Sequence, residues 1–483
     1  MEKELSYSTP EAQGIASSAV LAYIEAAEAQ GLELHGLILL RRGKVVAEGW
    51  WKPYERKLPH MLYSLSKSFT STAAGLAIAE KLFTLDDAVV SFFPESLPDT
   101  VSDNLKAMKV RDLLAMATGH DKEPQMWAAT DGNWIRQFLA TPVQHTPGTH
   151  FLYNTPATYM VSAIVEKKSG KSLLEYLTPR LFAPLGITGA TWEKCPRGIT
   201  TGGYGLSIRT DDIARFGLLF QQKGVWDGKQ LVPENWIAEA TKKQVSNGSD
   251  PNNDWNQGYG YQFWRCRYGA YRGDGAFGQF CIVMPEQEAV LAITSGVGNM
   301  GAVMSLAWQH LLPAMGATPL AENKMAHKQL TNKLARLTVP IPQGKNASPR
   351  SESLSGKTYR FTPNDQKIET VTFDFGKDDL KLTVKDGAGT HTVACGMGKW
   401  KQSETTFLQQ RVWGNSPPTK TCKSAVYGAW KDENTLLIKT SLVETPFSPV
   451  LAFRFDTNRV TLDVQGIIGF GSTERALLEG QLS

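Results

Sequence analysis

Apolar and polar positions follow two rhythms along this chain, and the change from one to the other divides it. Ile15, Val20, Leu21, Ile24 and Ala27 recur at helical spacing and predict an amphipathic helix over 15–29. His35 to Leu40 then reads as a strand. Arg42-Gly43-Lys44 turns the chain, and Val45 to Trp50 returns it, which predicts a hairpin at a sheet edge. After the polar loop 51–60 a helix rich in small residues runs to Ala79. Helical spacing recurs at 110–116, 158–168 and 173–182, the last stopped by Pro184-Leu185-Gly186. Thr210-Asp211-Asp212 caps a further helix. Strands are predicted at 258–264, 280–285 and 289–294, and an apolar helix over 301–312 closes the unit. Residues 339–353 have linker composition. Beyond them short alternating segments dominate, such as 369–375, 380–384 and 435–440, separated by Gly and Asp turns. The pattern predicts an α+β unit over 1–330 with its sheet flanked by helices, a linker over 331–353, and an all-β domain, sandwich or barrel, over 354–483.

Composition narrows the function classes. The 483 residues are 42% hydrophobic, enough for a large core and more than one domain. A net charge of +4 with interspersed signs gives nothing that points to nucleic acid. The cysteines 195, 266, 281, 395 and 422 are far apart and show neither C-x-x-C nor metal spacing, so free, mostly buried thiols are expected. Met1 to Ser6 lacks the apolar segment of a signal peptide, and no apolar run reaches transmembrane length, so a cytoplasmic protein away from membranes is expected. His120, His145 and His150 do not have metal-ligand spacing, and the glycine-rich Ile199–Leu206 lacks the lysine of a phosphate loop. No metal or cofactor is expected.

The chemistry begins at Ser64 and Lys67. Three residues apart on one helical face, they can place an amine beside a hydroxyl at a helix N-terminus. The pair reads equally as a helix cap with a surface lysine, and its neighbours decide. The stretch Ser64-Leu65-Ser66-Lys67-Ser68-Phe69, with Phe182-Ala183-Pro184-Leu185-Gly186 and Gly203-Tyr204-Gly205-Leu206, resembles the serine beta-lactamase and penicillin-recognising superfamily. The similarity is to its class C beta-lactamase-like esterases and peptidases, over about residues 10–315.

That resemblance implies an antiparallel beta-lactamase/transpeptidase-like sheet with an all-helical subdomain, and a Ser64 acyl-enzyme. Tyr153 matches the family's Tyr-x-Asn tyrosine and, with Lys67, takes the general base and acid roles. Thr155 stands where the family has asparagine, with Asn154 one residue early; both are expected to bind substrate. Gly273, Asp274, Gly275 and Phe277 occupy the third motif, without its usual lysine or histidine. The N–H groups of Ser64 and Ala276 are expected to form the oxyanion hole. Without that cation, a small neutral ester or amide is favoured over a penicillin-like carboxylate. A beta-lactamase or D-alanyl-D-alanine carboxypeptidase, and a non-catalytic binding protein on the same fold, remain the alternatives. Either a monomer or a homo-oligomer fits.

Overall fold

A computed structural model describes residues 4–407, 421–466, 468–470 and 473–483. The expected all-β span is therefore described apart from 408–420, 467, 471 and 472, and Met1–Lys3 of the amino terminus also lie outside the described residues.

The first sheet has six strands: β1 (Leu34–Arg41), β2 (Lys44–Trp50), β3 (Trp264–Arg265), β4 (Tyr271–Gly275), β5 (Gln279–Met284) and β6 (Ala289–Ser295). Their order is β2-β1-β6-β5-β4-β3, antiparallel throughout. Both faces are covered, which is why β1, β5 and β6 read as unbroken apolar runs. Alternate side chains nevertheless serve different cores. Leu37, Leu39, Phe280, Ile282, Leu291 and Ile293 pack with Val20 and Ile24 of helix α1 (Ser17–Ala29) and with Val303 and Trp308. Ile38, Leu40, Cys281, Val283, Val290 and Ala292 face a larger core. It contains α2 (Ser66–Ala79), α3 (Thr155–Ser169), α4 (Thr210–Gln221) and the helical lobe over 89–186.

The central helix α2 is buried from Ser66 to Ala77. Its serines, threonines and alanines let neighbours approach closely. At Gly75 an added Cβ would lie 2.4 Å from the Trp236 indole.

Two expectations change. The run 258–264 is not a strand, because Gly258 and Gln262 have φ of 111° and 65° and break the extended backbone. Trp264–Arg265 pairs with β4, Tyr259 makes isolated bridges to Val245 and Trp264, and the whole run is buried, Gln262 included. The expected linker start at 331 falls inside a helix, Lys324–Leu334. The segment that follows is tied to both sides: Val339 N–H donates to Lys52, and Lys345 and Trp430 exchange backbone hydrogen bonds.

The carboxy-terminal strands are β7 (Lys357–Phe361), β8 (Ile368–Phe375), β9 (Asp379–Asp386), β10 (Gly389–Met397), β11 (Lys401–Thr405), β12 (Cys422–Trp430), β13 (Thr435–Leu442), β14 (Val450–Phe455), β15 (Arg459–Gln465) and β16 (Leu478–Leu482). They pair in the order β10-β9-β8-β7-β16-β15-β14-β13-β12-β11, and a parallel contact of β10 with β12 closes the barrel. Its interior holds Tyr359, Phe373, Trp430, Phe453 and Phe455.

The barrel sends the loop after β13 into the first unit. Met61 N–H donates to Glu444 O at 2.9 Å, and Tyr54 Oη donates to Thr445 O at 3.4 Å. Lys439 and Ser448 both bond Glu33, the lysine at 2.5 Å. Beside them His35 and His60 share a 3.0 Å hydrogen bond, with Tyr54 stacked on His35. Cys195, Cys266, Cys281 and Cys395 are buried free thiols, and Cys422 is partly buried. Among the described residues no helix is long and apolar enough to cross a membrane.

Candidate active site

Ser64 sits in a 3-10 turn, Tyr63–Leu65, that runs directly into α2. Tyr63 has φ of 47°, an uncommon conformation for a residue with a side chain, and it presents Ser64 at the surface of an otherwise buried helix start. Local bonds fix this turn. Ser66 Oγ donates to Tyr63 O at 2.6 Å and accepts from Leu206 N–H at 3.1 Å, while Leu62 N–H donates to Leu206 O at 2.9 Å. The glycine-rich stretch that resembled a phosphate loop is thus a backbone clamp on the serine turn. Gly202 O accepts from Thr70 and Gly203 O from Lys67.

Lys67 is 1% exposed. Its Nζ lies 3.0 Å from Ser64 Oγ, 2.8 Å from Gly203 O and 3.4 Å from Thr155 Oγ1. Burial lowers its pKa to about 7, against the opposing pull of the Glu123 and Asp274 carboxylates. An amine at that value is substantially neutral at physiological pH and can take a proton. The Tyr153 side chain stands beside Ser64, and its ring lies 4.9 Å from Lys67 Nζ. Trp264 stacks on that ring at 5.3 Å and Tyr259 meets it edge-on at 6.3 Å. Burial, then the Asp274 charge, raise the Tyr153 pKa, so the phenol keeps its proton. Burial thus shifts the two groups beside Ser64 in opposite senses, Lys67 toward its neutral amine and Tyr153 toward its neutral phenol.

Strand β4 lies along the other side of the serine turn. A Cβ on Gly275 would stand 1.9 Å from Leu62 O and 3.1 Å from Leu65 N, so only glycine permits this approach. Gly273 is packed equally tightly against Ser68 and Leu65. Ala276 follows at the turn into β5, and Phe277 has φ of 65° with its ring 5.3 Å from that of Tyr63.

Two expected substrate contacts, Asn154 and Asp274, are used otherwise. Asn154 is fully buried: its Oδ1 accepts from Ala157 N–H at the start of α3, and its amide donates to Thr118. This is why the asparagine one residue early cannot serve the cleft. Asp274 is bonded to Arg272 at 2.8 Å. Arg272 itself is buried between Trp255 and Trp264, with a further bond to Asp254 O, so the cation near the third motif points away from Ser64. Thr155 does reach the site, as a partner of Lys67. Glu166 accepts from Leu173 and Thr200 N–H groups and holds two loops together.

A cleft of about 500 Å³ opens over Ser64, Tyr153 and Thr155. Its walls include Glu123, Trp127, Glu193, Tyr204 and, from the barrel domain, Phe470. Trp134 is buried beside Trp127, with the ring centroids 6.4 Å apart. Glu123 Oε1 accepts from Thr155 N–H at 2.8 Å. Away from the cleft the fold assembles a group that spacing did not suggest. Ligand atoms of Asp121, His145 and His150 lie within 4.8 Å of one another, His145 Nε2 being 2.5 Å from Asp121 and the imidazoles stacked. His120 is buried and bonded to Thr118.

An antiparallel sheet and a helical lobe meeting at a Ser-x-x-Lys turn define the penicillin-recognising class of proteins. Within that class the chain belongs to the beta-lactamase family, whose description matches residues 24–312. It is 26% identical over 218 residues to the 6-aminohexanoate-dimer hydrolase of Paenarthrobacter ureafaciens, a match covering 41% of this chain and 55% of that protein. The chain thus spans about half the length of that curated relative. Among solved structures, a putative 6-aminohexanoate-dimer hydrolase from Bacillus anthracis superposes with a TM-score of 0.54 at 19% identity, covering 66% of this chain and 89% of that one. The octameric penicillin-binding protein homologue from Pyrococcus abyssi covers 96% of this chain and 99% of its own, with a TM-score of 0.50 at 15% identity. These likenesses show the fold, in the second case across both units.

Proposed function

We propose that this protein is a serine hydrolase of small esters or amides. The observation that carries the proposal is Lys67 Nζ held 3.0 Å from Ser64 Oγ, with burial lowering the lysine pKa to about 7. Neutral Lys67 takes the Ser64 proton as Oγ bonds to the substrate carbonyl carbon. The N–H groups of Ser64 and Ala276 receive the oxyanion. As the tetrahedral species collapses, the carbonyl–leaving-group bond breaks. Tyr153 passes its proton to the departing oxygen or nitrogen and recovers one from Lys67. Water then attacks the acyl-enzyme with the same pair acting in reverse, and Ser64 regains its proton.

Membership of a family with hydrolase relatives supports this reading, as does convergence of Ser64, Lys67, Tyr153 and Thr155 on one cleft. A fluorophosphonate probe and a chromogenic short-chain ester test it. Labelling and turnover are expected in the wild type, with Ser64→Ala losing labelling and at least about 1,000-fold in kcat. Labelling that survives the substitution overturns the nucleophile assignment. Turnover of a cephalosporin but not of the ester would reverse the substrate ranking in favour of a beta-lactamase.

A further inference from the structure

We propose that Asp121, His145 and His150 form a binding site for a divalent transition metal ion such as zinc, set on the helical lobe apart from the cleft. The inference does not depend on the reading of Ser64 as a nucleophile. It starts from the turn between the two histidines. In Thr146-Pro147-Gly148-Thr149, proline holds the second position and Gly148 has φ of 87° at the third, the residues that a type II turn favours. Thr149 N–H donates to Thr146 O at 3.2 Å and closes it. His145 and His150 flank this turn, which returns the chain so that their rings stack with centroids 4.3 Å apart. The third member arrives from a separate segment. His145 N–H donates to Gly119 O at 2.9 Å, and a Cβ on Gly119 would lie 2.3 Å from His145 O, so only glycine lets the two segments run this close. Asp121, two residues on, gives its N–H to Gln144 Oε1 at 3.2 Å and brings a carboxylate oxygen to 2.5 Å from His145 Nε2.

One oxygen and two nitrogens thus lie within 4.8 Å of one another. A tetrahedral zinc about 2.0–2.2 Å from each ligand sets the ligand atoms about 3.4 Å apart. The Asp121 and His145 side chains are half-exposed and can turn through that difference without moving buried structure. Water completes the coordination from the exposed side. Two imidazoles with one carboxylate suit zinc, nickel or copper(II), whereas magnesium and calcium take sets of oxygens. Such an ion ties residues 119–121 to 145–150, and both segments lead toward the cleft. Glu123 accepts from Thr155 N–H, and Leu152 N–H donates to Met116 O one residue before Tyr153. Spacing along the chain hides the group; the turn and the Gly119 contact create it.

The test titrates zinc chloride into untagged protein stripped with EDTA, followed by calorimetry, with magnesium chloride as the control. One zinc per chain is expected at a site that magnesium does not fill. Asp121→Asn, His145→Gln and His150→Gln keep size and polarity, and each should weaken that zinc by about tenfold or more. The triple substitution should remove it while leaving the circular dichroism spectrum unchanged. Zinc should also raise the denaturation midpoint of the wild type, a readout that needs no variant, and leave that of the triple variant in place. Absence of zinc uptake by the wild type, equal filling by magnesium, or wild-type zinc affinity in the folded triple variant overturns the proposal. The group is then an ion pair of Asp121 and His145 with a stacked neighbour.

Discussion

At the scale of residues, the site depends on how one ammonium is kept from being an ammonium. Lys67 is enclosed by α2, Gly203 and Thr155, and the desolvation cost of the charged form draws its pKa from 10.5 to about 7. The acylation proposed at Ser64 needs the deprotonated amine, so kcat/KM should rise with pH along a limb centred near 7 and flatten above it. Glu123 opposes the burial effect by favouring the charged form. Removing its charge in Glu123→Gln should therefore move the limb to lower pH, read from a pH–rate profile on an uncharged ester. A limb that stays in place or moves upward would contradict the assignment of Lys67 as the titrating group.

At the scale of elements, α2 is the support on which the site stands, and its small residues are structural. Gly75→Ala would drive a methyl into the Trp236 indole, which is itself buried and cannot swing clear. A loss of about 1–3 kcal/mol in unfolding free energy is expected, measured by denaturant titration. The same scale shows what could be read from the sequence. Ser64 and Lys67 were visible because three residues on a helix are neighbours whatever surrounds them. The β1–β2 hairpin and the strands β5 and β6 were visible because their apolar runs match two covered faces. Tyr153 was reached through resemblance, since no local rule ties it to a serine so far back in the chain. The strand expected at 258–264 failed because side-chain alternation does not report the positive φ of Gly258 and Gln262. Asn154 was misread because its cap on α3 depends on where that helix begins. Glu123, Glu193 and Phe470 carried no signal at all: each joins the cleft through contacts distant in sequence.

At the scale of the molecule, two folded units meet around charges that tolerate little acid. Burial lowers the His60 pKa from 6.5 to about 3 and pushes that of His35 down as well. Burial alone would raise Glu33, but its bond to His35 and the Lys439 charge overcome this and hold it at about 2. In each case the folded state binds protons less readily than the unfolded chain. These groups are neutral in their effect on stability above about pH 6.5 for the histidines, and Glu33 contributes fully above 4.5. As pH falls, the histidine penalty grows between 6.5 and 3 and the Glu33 contribution is lost between 4.5 and 2. The protein should lose on the order of a few kcal/mol on acidification from pH 7 to pH 4, seen as a falling denaturation midpoint. A midpoint unchanged over that range would mean that the junction opens to solvent.

The loop that follows β13 gives this junction a further meaning. Glu444 receives the Met61 amide three positions before Ser64, Phe447 lies 5.6 Å from Phe277, and Phe470 stands at the cleft. The barrel therefore behaves as a missing piece of the reactive groove rather than as cargo fastened behind it. A protease nick that frees it should therefore cut the proposed ester hydrolysis instead of yielding two working fragments, because the cleft would lose Phe470 from its wall.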